Sequence, residues 1–263
     1  MDSDTTPRPL AMGQVDKLPV TVFRTKEELG LAAAHDARTI LQDALAQREE
    51  ANLILATGNS QLTFLHTLHR LDGIEWPRVR IFHMDEYADI DPEHPASFPR
   101  YLRRHFVDHI QPAAFHPLPS RPADIEQTCQ EYAALLRRYP ADLVVLGLGE
   151  NGHLAFNDPP YALFDDPAWV KLVRLAEVSR RQQVGEGHFA SLAEVPTHAI
   201  TLTIPALLAA RRILAIVPEA RKAKAVRACL TEPVSEDRPG SILRRVDHAH
   251  LYLDQDSASL LEL

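Results

Sequence analysis

The chain has 263 residues, a length that suits one large α/β domain, and its hydrophobic content of 45% is close to the globular average. The formal net charge is −8 and no long basic block occurs, which argues against nucleic acid or an anionic membrane as a partner. No apolar segment has the length or composition of a signal peptide or a membrane span, so we expect a cytoplasmic protein. Cys129 and Cys229 stand in no metal-binding spacing, and we expect two reduced thiols.

Short apolar runs alternate with helical patterns along most of the chain. We expect residues 1–16, which are polar and contain prolines, to be a flexible tail before one domain at residues 17–263. Strands are predicted at residues 20–23, 52–56, 79–83, 142–146, 199–203, 213–217 and 250–253. Helices are predicted at residues 25–47, 61–71, 123–138 and 220–230, the first from a capping box of Thr25 and Glu28. This alternation predicts a single-domain α/β fold, with a mostly parallel, Rossmann-like sheet covered by helices on both faces.

Three polar segments, at residues 57–60, 85–87 and 147–158, follow predicted strands directly. In an open parallel sheet, ligands bind in the crevice at the carboxyl ends of the strands. We therefore expect the three segments to deliver their side chains to one rim of the sheet, where a small molecule would bind.

The first segment joins a strand to a helix through Thr57, Gly58, Asn59 and Ser60. Ser60 is the expected N-cap of that helix, and backbone N–H groups at a helix start can bind a phosphate. Gly58 would let the backbone approach the ligand, while Thr57 and Ser60 would add hydroxyl donors. An ordinary strand–turn–helix junction has the same composition, so a purely structural interpretation stays open.

The second segment places Asp85 and Glu86 next to each other immediately after a strand. At the crevice, one of these carboxylates would serve as a general base, with a pKa adjusted by partial burial. Adjacent acids in a loop are also commonly solvated, and the segment alone leaves that interpretation open.

The third segment, GLGENGHLAFND, follows the most convincing buried strand. Its glycines free the backbone, and His153 lies between Asn151 and Asp158, either of which a turn would bring within reach. An imidazole needs such a partner to fix its tautomer before it can transfer protons near neutral pH. We find no metal-ligand spacing, no Gly-x-Ser-x-Gly elbow and no P-loop, so we expect no metal and neither of those enzyme classes.

The segments TGNS, MDEY with EHPASF, and GLGENGHLAFNDP, in this order, resemble the motifs of the glucosamine-6-phosphate deaminase (isomerase) family, which is related to the 6-phosphogluconolactonases. The resemblance extends from about residue 20 to the C-terminus. It implies the fold of that family and an aldose–ketose isomerisation with deamination of glucosamine 6-phosphate, giving fructose 6-phosphate and ammonia in amino-sugar catabolism. It also implies an enzyme without a cofactor, counted as a hydrolase, with a sugar phosphate as its partner. A homo-oligomer stays open.

The resemblance implies catalytic roles for Asp85, His153, Asn151 and Asp158. Asp85 matches the base that moves a proton between C2 and C1, and His153 matches the histidine that assists opening of the pyranose ring. Asn151 stands where Asp is usual, and Asp158 stands where Glu is usual. An Asn keeps a hydrogen-bond partner for His153 but removes a charge.

For the phosphate, the resemblance matches Thr57 to Ser60 to the phosphate loop, although GNSQ stands where GGTP is commoner. Lys222 matches a lysine that contacts the phosphate, and an anion site in an acidic protein needs a local cation on physical grounds as well. A solvated Lys222 is the alternative. The family's second phosphate-binding arginine has no clear match, and Arg180, Arg181 and the segment RQQVGEG at residues 181–187 are the candidates.

Two other functions stay open at this point. A 6-phosphogluconolactonase would share the fold, and the segment around Pro239 and Ser241 is somewhat lactonase-like. Lactonases, however, typically carry an acid–arginine motif where this chain has Asp85, Glu86 and Tyr87. A sugar-phosphate sensor without turnover is the third function, but such sensors usually carry a DNA-binding domain, and we find no basic extension of that size.

Overall fold

A mostly parallel sheet of eight strands forms the centre of the computed structural model, which describes residues 6–262. The strands are, in chain order, β1 (Ala11–Val15), β2 (Leu18–Phe23), β3 (Ala51–Leu55), β4 (Val79–His83), β5 (Asp85–Tyr87), β6 (Ala114–His116), β7 (Leu143–Leu146), β8 (Val170–Arg174), β9 (His198–Leu202), β10 (Ile213–Val217) and β11 (Ala249–Asp254). The large sheet has the order β1-β2-β11-β10-β7-β3-β4-β6, and of these described strands only β1 runs antiparallel to its neighbour. Strands β5, β9 and β8 form a small antiparallel sheet.

Helices cover both faces of the large sheet. They are α1 (Lys26–Gln47), α2 (Leu62–Leu68), α3 (Phe98–His105), α4 (Ile125–Arg138), α5 (Glu177–Gly185), α6 (Ile204–Leu208) and α7 (Ala223–Thr231). Along β3, Leu53 and Leu55 pack on the side of α1, α2 and α3, whereas Ile54 packs on the side of α4, α6 and α7. Burial on both faces explains the uninterrupted apolar strands, and the predicted α/β fold with a mostly parallel sheet is confirmed.

The elements with the clearest sequence signals lie where they were predicted. The predicted strands at residues 79–83 and 213–217 coincide with β4 and β10. Helix α1 begins after Thr25, whose hydroxyl accepts a hydrogen bond from the backbone N–H of Glu28 at 3.2 Å. A continuous apolar run or a cap of this kind is therefore sufficient to place an element in this chain.

The expected flexible tail is corrected at residues 11–15, which form β1. This strand pairs with β2 through a tight turn in which Asp16 has a φ of 52°. Ala11 and Val15 are its only partly buried residues, so this edge strand contains no hydrophobic run that the sequence could show. Residues 1–5 of the predicted tail lie outside the described residues.

The predicted strand at residues 199–203 forms β9, but it lies in the small antiparallel sheet and not in the parallel one. Its neighbours β5 and β8 were not predicted, because β5 has three residues, two of them acidic, and β8 is only partly apolar. The small sheet bears on function because β5 carries Asp85 at the carboxyl end of β4.

The two cysteines are both buried, and neither forms a disulfide, as expected. They pack on the face of the large sheet that carries α4 and α7. Within residues 6–262, every helix is too short or too polar to cross a membrane.

Candidate active site

A pocket lies at the carboxyl ends of β3, β4 and β7, where the three polar segments were expected to meet. Its lining includes Thr57, Gly58, Ser60, Asp85, His153 and Lys222. All three segments therefore reach one site, together with a lysine that lies far from them in sequence. The cavity has a volume of about 80 Å³, which is room for several water molecules.

Asp85 faces this pocket and Glu86 does not, because successive side chains of a strand point to opposite faces. Only 7% of Asp85 is exposed. Burial, with a further contribution from the neighbouring Glu86 carboxylate, raises the pKa of Asp85 to about 8. A carboxylate that holds its proton this tightly is a strong base once it is ionised, so the geometry selects Asp85 as the candidate base.

Glu86 instead anchors the surrounding chain. Its buried carboxylate accepts hydrogen bonds from the hydroxyls of Ser97 and Ser120 at 2.8 and 3.0 Å, and from the backbone N–H groups of Tyr87 and Phe98 at 2.8 and 3.2 Å. Burial raises the pKa of Glu86 to about 7, although these four hydrogen bonds act to lower it. Asp85 and Glu86 are both buried, so the interpretation of these two residues as solvated acids of a loop was wrong.

His83 fixes the backbone at Asp85. Its Nε2 accepts a hydrogen bond from the backbone N–H of Leu118 at 2.8 Å, so Nδ1 carries the proton and donates to the carbonyl oxygen of Asp85 at 2.9 Å. Burial lowers the pKa of His83 to about 4, which keeps the ring neutral. The sequence analysis missed this residue; its signal was a polar side chain at the end of a buried strand, two residues before Asp85.

Three polar groups hold the imidazole of His153 at Nδ1. The Oδ1 of Asn151 lies 2.8 Å away, the Oδ1 of Asp158 lies 3.1 Å away, and the hydroxyl of Ser179 lies 3.2 Å away. The structure thus brings Asn151 and Asp158 to His153, as the sequence predicted, and adds Ser179 from α5. With Nδ1 engaged in this way, Nε2 is the ring nitrogen that can serve a ligand.

Asp158 is a buried carboxylate behind this imidazole. Its oxygens accept hydrogen bonds from the amide of Asn151 and from the hydroxyl of Ser179, both at 2.7 Å. Burial acts to raise the pKa of Asp158, but the charge of His153 and the three hydrogen bonds outweigh it and lower that pKa to about 2. An ionised Asp158 can stabilise the positive charge that the ring acquires when it takes up a proton.

Gly149 leaves the space that the His153 ring occupies. A methyl group at position 149 would lie 2.1 Å from Cε1 and 2.3 Å from Nδ1 of that ring, far inside van der Waals contact. Gly152, one residue before His153, has a φ of +85°, which L side chains rarely adopt. Gly149 is therefore required by the position of the imidazole, and Gly152 by the backbone conformation of the loop that carries it.

The turn after β3 forms the other side of the pocket. Gly58 has a φ of 102° and precedes a 3-10 turn at Asn59–Gln61, after which α2 begins. Ser60 lies inside this turn and is not the N-cap that was predicted. The hydroxyls of Thr57 and Ser60 form no hydrogen bond with any residue in the described part of the chain, so both can donate to a ligand.

Asn59 was predicted to bind substrate, but its side chain does not line the pocket. Its amide donates to the backbone oxygen of Glu186 at 3.2 Å and so connects the turn to the end of α5. Asn59 is exposed at the start of the 3-10 turn, while its neighbours Gly58 and Ser60 line the cavity.

Lys222 extends into the pocket from the start of α7 and is 2% exposed, so the solvated alternative was wrong. Burial lowers its pKa to about 8, against the pull of nearby carboxylates. The ammonium group of Lys222 forms no hydrogen bond or close ion pair with any residue between 6 and 262. A buried, uncommitted ammonium group is a suitable partner for an anionic ligand.

Neither predicted candidate for a second phosphate-binding cation reaches the pocket. Arg180 donates to the backbone oxygens of Leu192 and Val195 at 2.6 and 2.8 Å. Arg181 is exposed and pairs with Glu177 at 2.5 Å. Both side chains are committed to local structure around α5.

Helix α5 and its C-terminal end, which the sequence analysis considered only as a source of a phosphate-binding cation, contribute other side chains to the pocket. Gln182, Gln183 and Glu186 line it. The hydroxyl of Tyr87 donates to the side-chain oxygen of Gln183 at 2.9 Å and so connects α5 to β5. The polar sequence of this helix gives no apolar period from which its orientation could be predicted.

The pocket can bind an anion at Lys222 and can transfer protons at Asp85 and His153. Its ionisable side chains are Asp85, His153, Glu186 and Lys222. Within the described residues, no group of three or more His, Cys, Asp or Glu side chains is arranged to hold a metal ion. The chemistry available to the side chains is acid–base chemistry on a small anionic molecule.

Comparison with known proteins agrees with this chemistry. A family model described as glucosamine-6-phosphate isomerases/6-phosphogluconolactonase matches residues 24–252. A glucosamine-6-phosphate deaminase of Bacillus pumilus (strain SAFR-032) is 35% identical over 248 residues, covering 90% of this chain and 98% of that relative. A glucosamine-6-phosphate deaminase of Exiguobacterium sibiricum is 34% identical over 221 residues, covering 84% of this chain and 85% of the relative.

Solved structures give the same result. A monomeric glucosamine-6-phosphate deaminase matches with a TM-score of 0.84 at 30% identity, covering 92% of this chain and 99% of its own. A 6-phosphogluconolactonase from Shewanella baltica OS155 matches with a TM-score of 0.75 at 22% identity, covering 92% and 100%, and shows the shared fold. The expected hydrolase class is corrected to isomerase and deaminase, because these are the terms that describe the matching relatives. The chain belongs to the glucosamine-6-phosphate isomerase/6-phosphogluconolactonase family.

Proposed function

We propose that this protein converts glucosamine 6-phosphate to fructose 6-phosphate and ammonia. The observation that carries the proposal is that Asp85, the supported imidazole of His153 and the buried Lys222 face one cavity. The relatives named as deaminases, which cover most of this chain, support the same reaction. We keep the cytoplasm as the expected location on the sequence alone.

The phosphate would bind between Lys222 and the turn after β3. Lys222 supplies a charge, Thr57 and Ser60 supply hydroxyl donors, and Gly58 lets the backbone come close to the phosphate oxygens. Such binding holds one end of the sugar and so orients C1 and C2 toward the proton-transfer groups.

His153 would open the pyranose ring. Its Nε2 takes the proton from the anomeric hydroxyl and returns it to the ring oxygen as the C1–O5 bond breaks, which leaves an aldehyde at C1. Asn151 and Asp158 hold Nδ1 throughout, and the ionised Asp158 stabilises the transient positive charge on the ring.

Asp85 would then move a proton from C2 to C1. Asp85 removes the C2 proton while the C1 oxygen takes a proton from water, which gives an enolamine. Return of the proton from Asp85 to C1 gives an iminium at C2, which becomes an imine by giving a proton back to water. Water adds to that imine and ammonia leaves, so the ketone of fructose 6-phosphate forms. The base must be ionised for this step, and the raised pKa of Asp85 makes its carboxylate a stronger base than an exposed one.

The lactonase alternative has less support. Tyr87, at the position where lactonases typically carry an arginine, is fully buried and bound to Gln183. The solved lactonases match at 22% identity or less and show the fold alone.

Turnover by purified protein tests the proposal. Glucosamine 6-phosphate is incubated with the wild type, Asp85→Asn and the control Asp89→Asn, whose acid is an exposed partner of Arg121. Ammonia and fructose 6-phosphate should form with the wild type and the control, and their rate should fall at least about 1,000-fold in Asp85→Asn. Hydrolysis of 6-phosphogluconolactone without ammonia release would contradict the proposal in favour of the lactonase. Galactosamine 6-phosphate, assayed in parallel, would establish the configuration of the sugar.

A further inference from the structure

Four histidines lie together on one surface of the protein, where helices α2 and α3 end. They are His66, His69, His105 and His109, and each of them is at least partly exposed. The ring centroids of His66 and His105 are 5.2 Å apart, and those of His69 and His109 are 4.7 Å apart. None of the four lines the pocket of the candidate active site. The proposed function therefore leaves this histidine cluster without a role.

The pair of His66 and His105 connects the two helices. Nε2 of His66 lies 3.0 Å from Nδ1 of His105, so the two nitrogens share one proton in a hydrogen bond. The rings are tilted by 40° and do not stack, and both nitrogens face the space between them. His66 lies in the last turn of α2, and His105 is the last residue of α3. Two imidazole nitrogens held in this way can act as a pair of ligands for one metal ion.

The distance between these nitrogens indicates which metals suit the pair. With metal–nitrogen bonds of roughly 2.0 Å, two nitrogens 3.0 Å apart subtend an angle of roughly 95° at the metal. Neighbouring ligands are roughly 90° apart in the square-planar or tetragonal sites of copper(II) and nickel(II), whereas a tetrahedral zinc site needs roughly 109°. Within residues 6–262, no third His, Cys, Asp or Glu side chain is placed to join the pair, so water would complete the coordination.

Both rings can take the protonation state that a metal requires. A ligating imidazole is neutral, and its bound nitrogen carries no proton. Burial, with further contributions from neighbouring histidines and from Arg70 and Arg104, lowers the pKa of His66 and of His105 and favours the neutral rings. Nδ1 of His66 and Nε2 of His105 have no hydrogen-bond partner in the described part of the chain. Each can therefore carry the proton of its ring while the facing nitrogen binds the metal, and no proton has to be released.

The local electrostatics also permit a cation. The charges of Arg70 and Arg104 oppose a metal ion at the pair, but both residues are exposed, so solvent and salt screen this repulsion. His66 and His105 both lie in the C-terminal turns of their helices, where the helix dipole is negative and stabilises a cation.

The other two histidines of the cluster do not form a chelating pair. The rings of His69 and His109 stack with an angle of 16° between their planes, so their nitrogens point side by side and not toward one point. Nε2 of His109 also donates to the backbone oxygen of Arg104 at 3.0 Å. His69 is therefore a matched control, because it is an imidazole of the same cluster that should not bind the metal.

We propose that His66 and His105 form a binding site for a divalent transition metal, with copper(II) and nickel(II) as the ions that fit best. The site is separate from the candidate active site, and the inference does not depend on the proposed function. A bound ion would replace the shared proton as the connection between α2 and α3. Because the ion binds the folded arrangement of two helices, it should stabilise the folded protein against heating.

Calorimetry with nickel(II) chloride tests the site on protein purified without a histidine tag. The proteins are the wild type, His66→Gln, His105→Gln and the control His69→Gln. We expect one nickel ion per chain in the wild type, and binding at least about tenfold weaker in His66→Gln and in His105→Gln. The control should bind nickel as the wild type does. Nickel should raise the Tm of the wild type and the control more than that of the other two variants.

Electron paramagnetic resonance with copper(II) identifies the ligands directly. The wild-type spectrum should show coupling to two imidazole nitrogens, and the spectrum of each ligand variant should lose this coupling. Equal nickel binding in all four proteins, or a loss in His69→Gln as large as in His66→Gln, would overturn the inference. Zinc(II) chloride, titrated in the same way, should bind more weakly than nickel(II), and tighter binding of zinc would overturn the assignment of the ions. If one ligand variant fails to fold, the other decides the matter by the same comparison.

Discussion

The amide of Asn151 donates a hydrogen bond to the carboxylate of Asp158 across 2.7 Å. An Asn151→Asp substitution would replace this donor with a second carboxylate, so the pair could stay together only by binding a proton. We expect kcat to fall about tenfold or more and the free energy of unfolding at pH 8 to fall by about 1–3 kcal/mol. In denaturant unfolding, the substitution should lower the free energy of unfolding less at pH 5, where the two carboxyl groups can share a proton. An equal loss of free energy of unfolding at pH 5 and pH 8 would contradict the expected repulsion between the carboxylates at positions 151 and 158.

Gly149→Ala should remove activity by displacing a neighbouring side chain. The added methyl would overlap the His153 ring, which must turn away from Asn151 and Asp158. We expect kcat to fall about 100-fold or more, because the imidazole loses its position for proton transfer. Gly185→Ala is the matched control, since nothing lies within 4 Å of the Cβ position there. Similar losses of kcat in the two variants would show that the replacement of a glycine, and not the displacement of the His153 ring, explains the effect.

Asp85 should make the folded protein less stable as the pH rises. Its pKa is about 8 in the fold against 3.8 for the ordinary carboxyl, so the stability present below pH 3.8 is progressively lost as the pH rises toward 8. Asp85→Asn removes this penalty, and we expect its free energy of unfolding at pH 8 to exceed that of the wild type by on the order of 3 kcal/mol. The gain should disappear toward pH 4. Denaturant unfolding between pH 4 and pH 8 measures this gain in the free energy of unfolding. A gain that does not change with pH would contradict the raised pKa of Asp85.

Lys222 should limit binding of the sugar phosphate in alkaline solution. Its pKa of about 8 means that the ammonium group is present below pH 8 and is lost above it. Affinity for fructose 6-phosphate, which has no amino group of its own to titrate, should therefore decline from pH 7.5 to pH 9.5. Lys222→Arg should retain its affinity over this range, because a guanidinium stays protonated. The same decline in both proteins, measured by calorimetry, would assign the titration to another group.

The core of the fold was predictable because it depends on burial. Strands such as β7 and β10 are apolar along their whole length, and a two-sided sheet is the arrangement that buries them. The positions of Asp85 and His153 followed, since each comes after a buried strand. Strand β1 could not be found this way, because it lies at the surface, and its second residue, Met12, is 74% exposed.

The remainder of the site was not predictable because its residues come from surface elements. Ser179 and Glu186 lie on or beside α5, a helix without a clear apolar face, and the sequence does not show which way it packs. Asn59 is the opposite case, since the motif placed it at the pocket but its side chain does not line the cavity.

The stoichiometry of glucosamine 6-phosphate turnover tests the central claim most directly. Wild-type protein is incubated with the substrate at pH 8, and the sugar consumed, the ammonia released and the fructose 6-phosphate formed are all measured. We predict one ammonia and one fructose 6-phosphate for each glucosamine 6-phosphate consumed, with neither product formed by Asp85→Asn. Consumption without ammonia, or equal activity in Asp85→Asn, would contradict the assignment of this pocket as a deaminase active site.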